Sequence, residues 1–133
     1  MSSADAVTVG TELAPVTGHS DLATSVLYAG ASGDFNPLHY DPTFAAEVSP
    51  TGGVIAHGMY SMGLASRMLT AFAGEPQAVV EISVRFTRPW PLDTSATFTG
   101  KVTAIEEGVA TVSLAATTEA GDRILRGTGR VRL

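Results

Sequence analysis

Asp34 and His39 stand five positions apart in the segment Gly30-Ala-Ser-Gly-Asp-Phe-Asn-Pro-Leu-His-Tyr-Asp41, one on each side of an Asn36-Pro37 turn. A carboxylate that is ionised near neutral pH and an imidazole that titrates there can share one water or one substrate proton, the working pair of general acid–base catalysis. Gly, Asp, Asn and Pro also form ordinary Asx turns, and Asp-x-Asn-Pro alone is more often such a turn than a catalytic site. Other chemistries match less well. Asp34-x-Asn36 opens as a calcium loop opens, but the sixth position is His39 instead of Gly and the twelfth is Ala45 instead of Glu. No Gly-x-Ser-x-Gly elbow occurs, and glycines 30, 33, 52, 53 and 58 fit neither nucleotide-binding spacing.

A second segment, Val54-Ile-Ala-His-Gly-Met59, leads into a long helical stretch. A helix start leaves backbone N–H groups unpaired and carries partial positive charge, so it can receive a carbonyl oxygen that becomes negative during reaction. Gly58 is the natural donor, since no side chain blocks approach to it. A glycine kept there for close helix–sheet packing is an equal reading of the same residue. His57, alone at a helix start, fits a packed or capping role more often than a catalytic one.

The elements that must hold these residues can be read from periodicity. Ser20 predicts an N-cap for a helix over Asp21 to Ala29, with Leu22, Val26 and Ala29 as its apolar face. Pro42 to Val48 predicts a short second helix, and Ser49 to Gly53 breaks regular structure. His57 to Ala73 predicts a helix rich in small residues (Gly58, Ser61, Gly63, Ala65, Ser66, Ala71), able to lie close to another backbone. From Val80 the period changes to two. Val80, Ile82, Val84 and Phe86 alternate with polar residues, and similar strands are expected over 96–105, 109–118 and 123–133. Short turns at 106–108 and 119–122 make the last three consecutive hairpins. Arg126, Thr128, Arg130 and Arg132 fall on one face of the last strand, opposite Leu125, Val131 and Leu133. An edge strand or loose start is expected before residue 16, with Val7 to Val9 its β-like stretch. Together these predict an α+β arrangement, an antiparallel sheet with one polar side and one side against a helix.

Composition bounds the rest. The 133 residues suit a single domain, 1–133, and 44% hydrophobic with 16% charged residues is globular composition. No apolar run reaches membrane-spanning length and no basic leader opens the chain, so a cytoplasmic protein without membrane contact is expected. Cysteine is absent, which removes disulfides and thiolate chemistry, and any zinc would depend on carboxylates and His19, His39 and His57. No metal site is expected. A net charge of −5 argues against nucleic acid as partner. Residues 1–66 carry six acids and no bases. Arg67, Arg85 and Arg88, the first bases in the chain, are therefore candidates to meet an anionic substrate, beside their plainer reading as solvated faces.

Tyr28-Ala-Gly-Ala-Ser-Gly-Asp-Phe-Asn-Pro-Leu-His39, followed by Ala56-His-Gly-Met59, resembles the signature of the MaoC-like dehydratases, the (R)-specific enoyl-CoA hydratase or hydratase 2 group of the hotdog superfamily. The likeness covers most of the chain. It implies a single hotdog fold, with an antiparallel sheet wrapped around a long central helix and two subunits pairing their sheets. It implies reversible syn hydration of a trans-2-enoyl thioester to the (R)-3-hydroxyacyl thioester, the acyl group carried on coenzyme A or acyl carrier protein and no further cofactor. By motif position Asp34 and His39 match the catalytic pair and Gly58 the oxyanion donor. Asn36 matches the residue that sets the pair, Ser66 a polar site-shaping position, and His57 lies within the second motif. A homodimer is the default, and a heterodimer with a motif-less hotdog subunit is the alternative. An acyl-binding or structural subunit, and less favoured a thioesterase, are the competing functions.

Overall fold

The computed structural model describes residues 6–133. Five strands form one antiparallel sheet: β1 (Val16–Ser20), β2 (Val79–Phe86), β3 (Thr94–Glu106), β4 (Val109–Thr118) and β5 (Arg123–Arg132), in the spatial order β1-β3-β4-β5-β2. Three helices precede β2: α1 (Leu22–Ser32), α2 (Pro42–Val48) and α3 (Gly58–Ala73), with a 3-10 turn at Pro37–His39 between the first two. The sheet curls around α3, and its inner face buries Phe98, Val102, Val112, Leu114, Leu125 and Val131 against Ala65, Met68, Leu69 and Phe72 of that helix. This is the hotdog fold that the motifs imply.

The strand alternation from Val109 onward reappears as a buried–exposed alternation along β4, and a two-residue turn links β3 to it. Glu107 and Gly108 both take positive φ, 50° and 76°, the type I′ geometry that matches the twist of a hairpin. β2 departs from the expectation. A bulge between Val79 and Glu81 shifts the register, so Val79, Ile82 and Val84 face inward while Val80 and Phe86 are 45% and 48% exposed. Leu133, expected on the inner side, is likewise exposed.

The start of the chain corrects three further expectations. The edge strand is Val16–Ser20, pairing with β3, and Val7 to Val9 form no strand; residues 1–5 of the expected edge segment lie outside the described residues. Asp21, not Ser20, caps α1, its Oδ1 accepting from the Thr24 N–H at 2.7 Å, while the Ser20 hydroxyl donates to the Pro91 carbonyl at 2.7 Å. The apolar side of α1 is mostly open to solvent, with Leu22 and Val26 exposed and Ala29 and Ser25 buried.

The Thr24 N–H and hydroxyl hold the Asp21 carboxyl below its ordinary 3.8. A carboxylate depressed in the folded state stabilises it above the unfolded value, and that contribution disappears as pH falls through the lower folded value. Asp21→Asn is therefore expected to flatten the acid limb of the stability curve below about pH 4, read by urea melts from pH 2 to 7.

The small residues of α3 act as predicted in part: Ala65 and Ser61 are buried and Gly58 lies close under Phe86. Gly63 is exposed, and a Cβ there would meet nothing within 4 Å. Close approach comes from the sheet side, where Gly18 lies under Leu64, Gly100 beside Met68 and Gly129 under Leu69. Among the described residues no helix is long and apolar enough to cross a membrane.

Candidate active site

The Asp34 loop is built from side chains that accept from the backbone just ahead of them. Asp34 Oδ1 accepts from the Asn36 N–H at 3.2 Å, and Asn36 Oδ1 accepts from the Leu38 N–H at 3.0 Å, opening the 3-10 turn that carries His39. The Tyr40 hydroxyl donates to the Phe35 carbonyl at 2.9 Å, tying the far side of the turn. Asp41 then caps α2 through the N–H groups of Thr43 and Phe44. With one carboxylate oxygen fixed by the loop, the other, Oδ2, is aimed at His39 Nε2 at 3.9 Å.

That gap is too long for a direct hydrogen bond. His39 Nδ1 lies 2.8 Å from the Ile55 carbonyl, which can only accept, so Nδ1 carries a proton and donates. In the neutral imidazole this leaves Nε2 as an acceptor facing a second acceptor, the Asp34 carboxylate. A water between them can donate one hydrogen to each. The His39 side chain is mostly buried, 12% exposed, while that of Asp34 is 52% exposed.

His57 supports this pair from below. It is 2% exposed, its ring stacks on His39 with centroids 4.0 Å apart, and Tyr28 packs on it at 4.9 Å. His57 Nε2 donates to the Asp34 main-chain carbonyl at 3.1 Å, while Nδ1 is buried with no hydrogen-bond partner. Asp34, His39 and His57 each offer a ligand atom within 4.8 Å of the others. The stacked imidazoles are inclined by only 25°, so their in-plane lone pairs run side by side and do not converge on one ion. These contacts fit a positioning role for His57. His57→Ala is expected to lower turnover by on the order of 10²-fold through loss of alignment, with His57→Gln, which keeps a donor near Nε2, recovering part of it; comparison of kcat for the two variants checks this.

Beside the pair lies a cleft of about 340 Å³, lined by His39, Gly58, Ser61, Phe86, Arg88 and Trp90 among others. Gly58 is the first residue of α3, with His57 at the cap position, so its N–H belongs to the unpaired set at a helix start. The Phe86 ring would lie 3.0 Å from a Cβ at Gly58, so glycine is held there by packing. Ser66 is not among the cleft residues; Ser61, 4% exposed, supplies the polar group from α3 instead. Of the three candidate arginines only Arg88 borders the cleft, held by Asp122 at 3.3 Å. Tyr28, Ile55 and Trp90 enter the site although sequence patterns assigned them no role. Tyr28 had a signal, its place at the head of the quoted motif, whereas the Ile55 contribution is a main-chain carbonyl.

A long helix clasped by a curled antiparallel sheet, with an acid–imidazole pair facing the helix start, defines a hotdog protein of the hydratase and dehydratase class. A family profile described as "MaoC like domain" matches residues 5–123, and the chain belongs to that family. The (R)-hydratase from A. caviae involved in PHA biosynthesis superposes with a TM-score of 0.86 at 30% identity, covering 96% of this chain and 97% of that one. The ChsH1-ChsH2 complex from Mycobacterium tuberculosis gives 0.85 at 25% identity, over 96% and 99% of the two chains. The 3-oxo-4,17-pregnadiene-20-carboxyl-CoA hydratase beta subunit of M. tuberculosis is 28% identical over 116 residues, 87% of this chain and 89% of its own. Other relatives are far longer. The matched stretch is 3% of the fatty acid synthase subunit beta of Schizosaccharomyces pombe, to which it is 43% identical over 67 residues, 47% of this chain.

Proposed function

We propose that this protein interconverts trans-2-enoyl and (R)-3-hydroxyacyl thioesters by adding or removing water. The observation that carries the reading is the pair of acceptors, Asp34 Oδ2 and His39 Nε2, 3.9 Å apart beside the α3 start. The thioester carbonyl oxygen would sit at the Gly58 N–H and the double bond under the bridging water. Water oxygen bonds to the β-carbon, the π electrons move through the α-carbon onto the carbonyl oxygen, and the pair takes one water proton. The Gly58 N–H and the helix start favour the resulting enolate over the neutral thioester, an effect for which a single donor is typically worth roughly 3 kcal/mol of barrier. Return of a proton from the pair to the α-carbon completes net addition of H₂O on one face. Asp34 and His39 act as one coupled unit in these transfers.

The acyl group is carried by coenzyme A or an acyl carrier protein, and no metal or redox group takes part. The working form is a dimer, by default of two identical chains, in the cytoplasm. The alternative assembly is a heterodimer with a motif-less hotdog chain; the naming of the M. tuberculosis relative as a beta subunit supports a second kind of subunit. Purified protein incubated with crotonyl-CoA should remove the enoyl chromophore without releasing thiol. Thiol release in its place would make it a thioesterase, and neither signal from the isolated or the paired chain would leave an acyl-binding subunit.

A further inference from the structure

The outer face of the sheet carries a cationic cluster that the catalytic pair does not use. Arg85 of β2 and Arg126 of β5 are directly opposite each other in register, with Ala115 of β4 completing the row. One row along the strands lie the hydroxyl residues Ser83, Thr128 and Ser113, and on the other side Arg123 pairs with Thr117. These three arginines and three hydroxyl residues line a shallow depression of about 690 Å³. Like charges directly opposite in a sheet are destabilising, so Arg85 facing Arg126 costs the fold unless an anion lies between them. None of the described carboxylates comes within ion-pair distance of Arg85, Arg123 or Arg126; Glu81 is engaged with Arg130 and Asp122 with Arg88. All this occurs on a chain of net charge −5.

The position of the cluster relates it to the cleft. Successive strand residues point to opposite faces, so Arg85 backs onto Phe86; a register shift at Ala116/Thr117 buries both Ile124 and Leu125 and returns Arg123 to the outer face with Arg126, and Phe86 and Ile124 line the cleft. β2 ends at Phe86 and β5 begins at Arg123, and the route from the inner to the outer face therefore passes over these strand ends, where Arg88 stands. No aromatic side chain lines the depression to stack a base, and of its apolar lining residues Val84 and Leu114 pack into the core, leaving the single methyl of Ala115, too little to enter a lipid surface.

We infer that Arg85, Arg123 and Arg126 form a binding site for the phosphates of a coenzyme thioester whose acyl end lies in the cleft. The inference rests on the proposed hydratase reading for the acyl end only; the anion site itself is independent of turnover. Guanidinium forks match phosphate oxygens, and the hydroxyls beside them supply further donors.

The test uses the full chain with two readouts. Calorimetric binding of coenzyme A, with phosphate-free pantetheine as control, reads the anion site without catalysis. Each of Arg85→Gln and Arg126→Gln should weaken coenzyme A binding by about tenfold, as expected for loss of a hydrogen bond to a charged group, and leave pantetheine unaffected. In turnover, the same variants should raise KM for crotonyl-CoA by a similar factor with kcat unchanged, while KM for S-crotonyl-pantetheine stays as in the wild type. Undiminished coenzyme A binding in both variants would overturn the site, as would an equal loss with both ligands. A wild-type protein that binds coenzyme A through these arginines yet hydrates neither thioester would overturn the hydratase reading and leave the phosphate site standing.

Discussion

Asp34→Asn and His39→Gln are each expected to lower kcat for enoyl thioester hydration by on the order of 10³-fold, within the usual span for loss of positioned acid–base groups. In Asp34→Asn the side-chain oxygen can still accept from the Asn36 N–H, so the loop should hold its shape while the negative acceptor for water is lost. In His39→Gln the nitrogen that the Ile55 carbonyl orients is gone, and with it the aimed Nε2 lone pair. KM should change little, since most of the cleft lining is untouched by either change. The double variant should be hardly worse than either single one, because both residues bind the same water and act as a unit. Steady-state kinetics on variants with wild-type melting curves supply the measurement; kcat values within a few-fold of wild type would remove the pair from the mechanism.

The largest effect on stability is expected at Gly127. A Cβ there would run into the main-chain carbonyl oxygen of Ser83 and stand 2.8 Å from the Val84 Cα. Both obstacles are backbone of the neighbouring strand, so neither can rotate away as a side chain would. Gly127→Ala must push β2 off β5, and overpacking of this kind costs about 3 kcal/mol or more. Gly129→Ala is the milder case, because the atoms it meets, at 2.5 and 2.8 Å, are methyl groups at the end of Leu69. Gly63→Ala, in open space on α3, should go the other way and stabilise by up to about 1 kcal/mol through helix propensity. Urea midpoints for the three variants check the ordering; a Gly127→Ala protein as stable as Gly63→Ala would contradict the strand packing described above.

Much of this architecture was legible in the chain because each piece had a local cause. β4 alternates along its length and β5 does so from Leu125 onward, and Glu107-Gly108 is a turn pair that tolerates positive φ. Asp34 and His39 were readable because one short turn holds both. Less legible were features that depend on contacts distant in sequence. The edge strand Val16–Ser20 reads Val-Thr-Gly-His-Ser, too polar to stand out, whereas the β-like stretch Val7 to Val9 has no strand partner. The cap of α1 moved by one residue because Ser20 is drawn to the Pro91 carbonyl, 71 positions away, leaving Asp21 to close the helix. Ser61 in place of Ser66 follows from which side of α3 meets Phe86 and Trp90, a property of the wrapped sheet. The Ile55 carbonyl that fixes His39 has no side-chain signature at all.

The most direct test of the central claim is hydration of crotonyl-CoA in D₂O, followed by NMR of the product. A water held between Asp34 and His39 on one side of the double bond predicts (R)-3-hydroxybutyryl-CoA as a single diastereomer, with deuterium at the α-carbon added to the same face as the β-hydroxyl. Addition to opposite faces, or a mixture of diastereomers formed under initial-rate conditions, would contradict it.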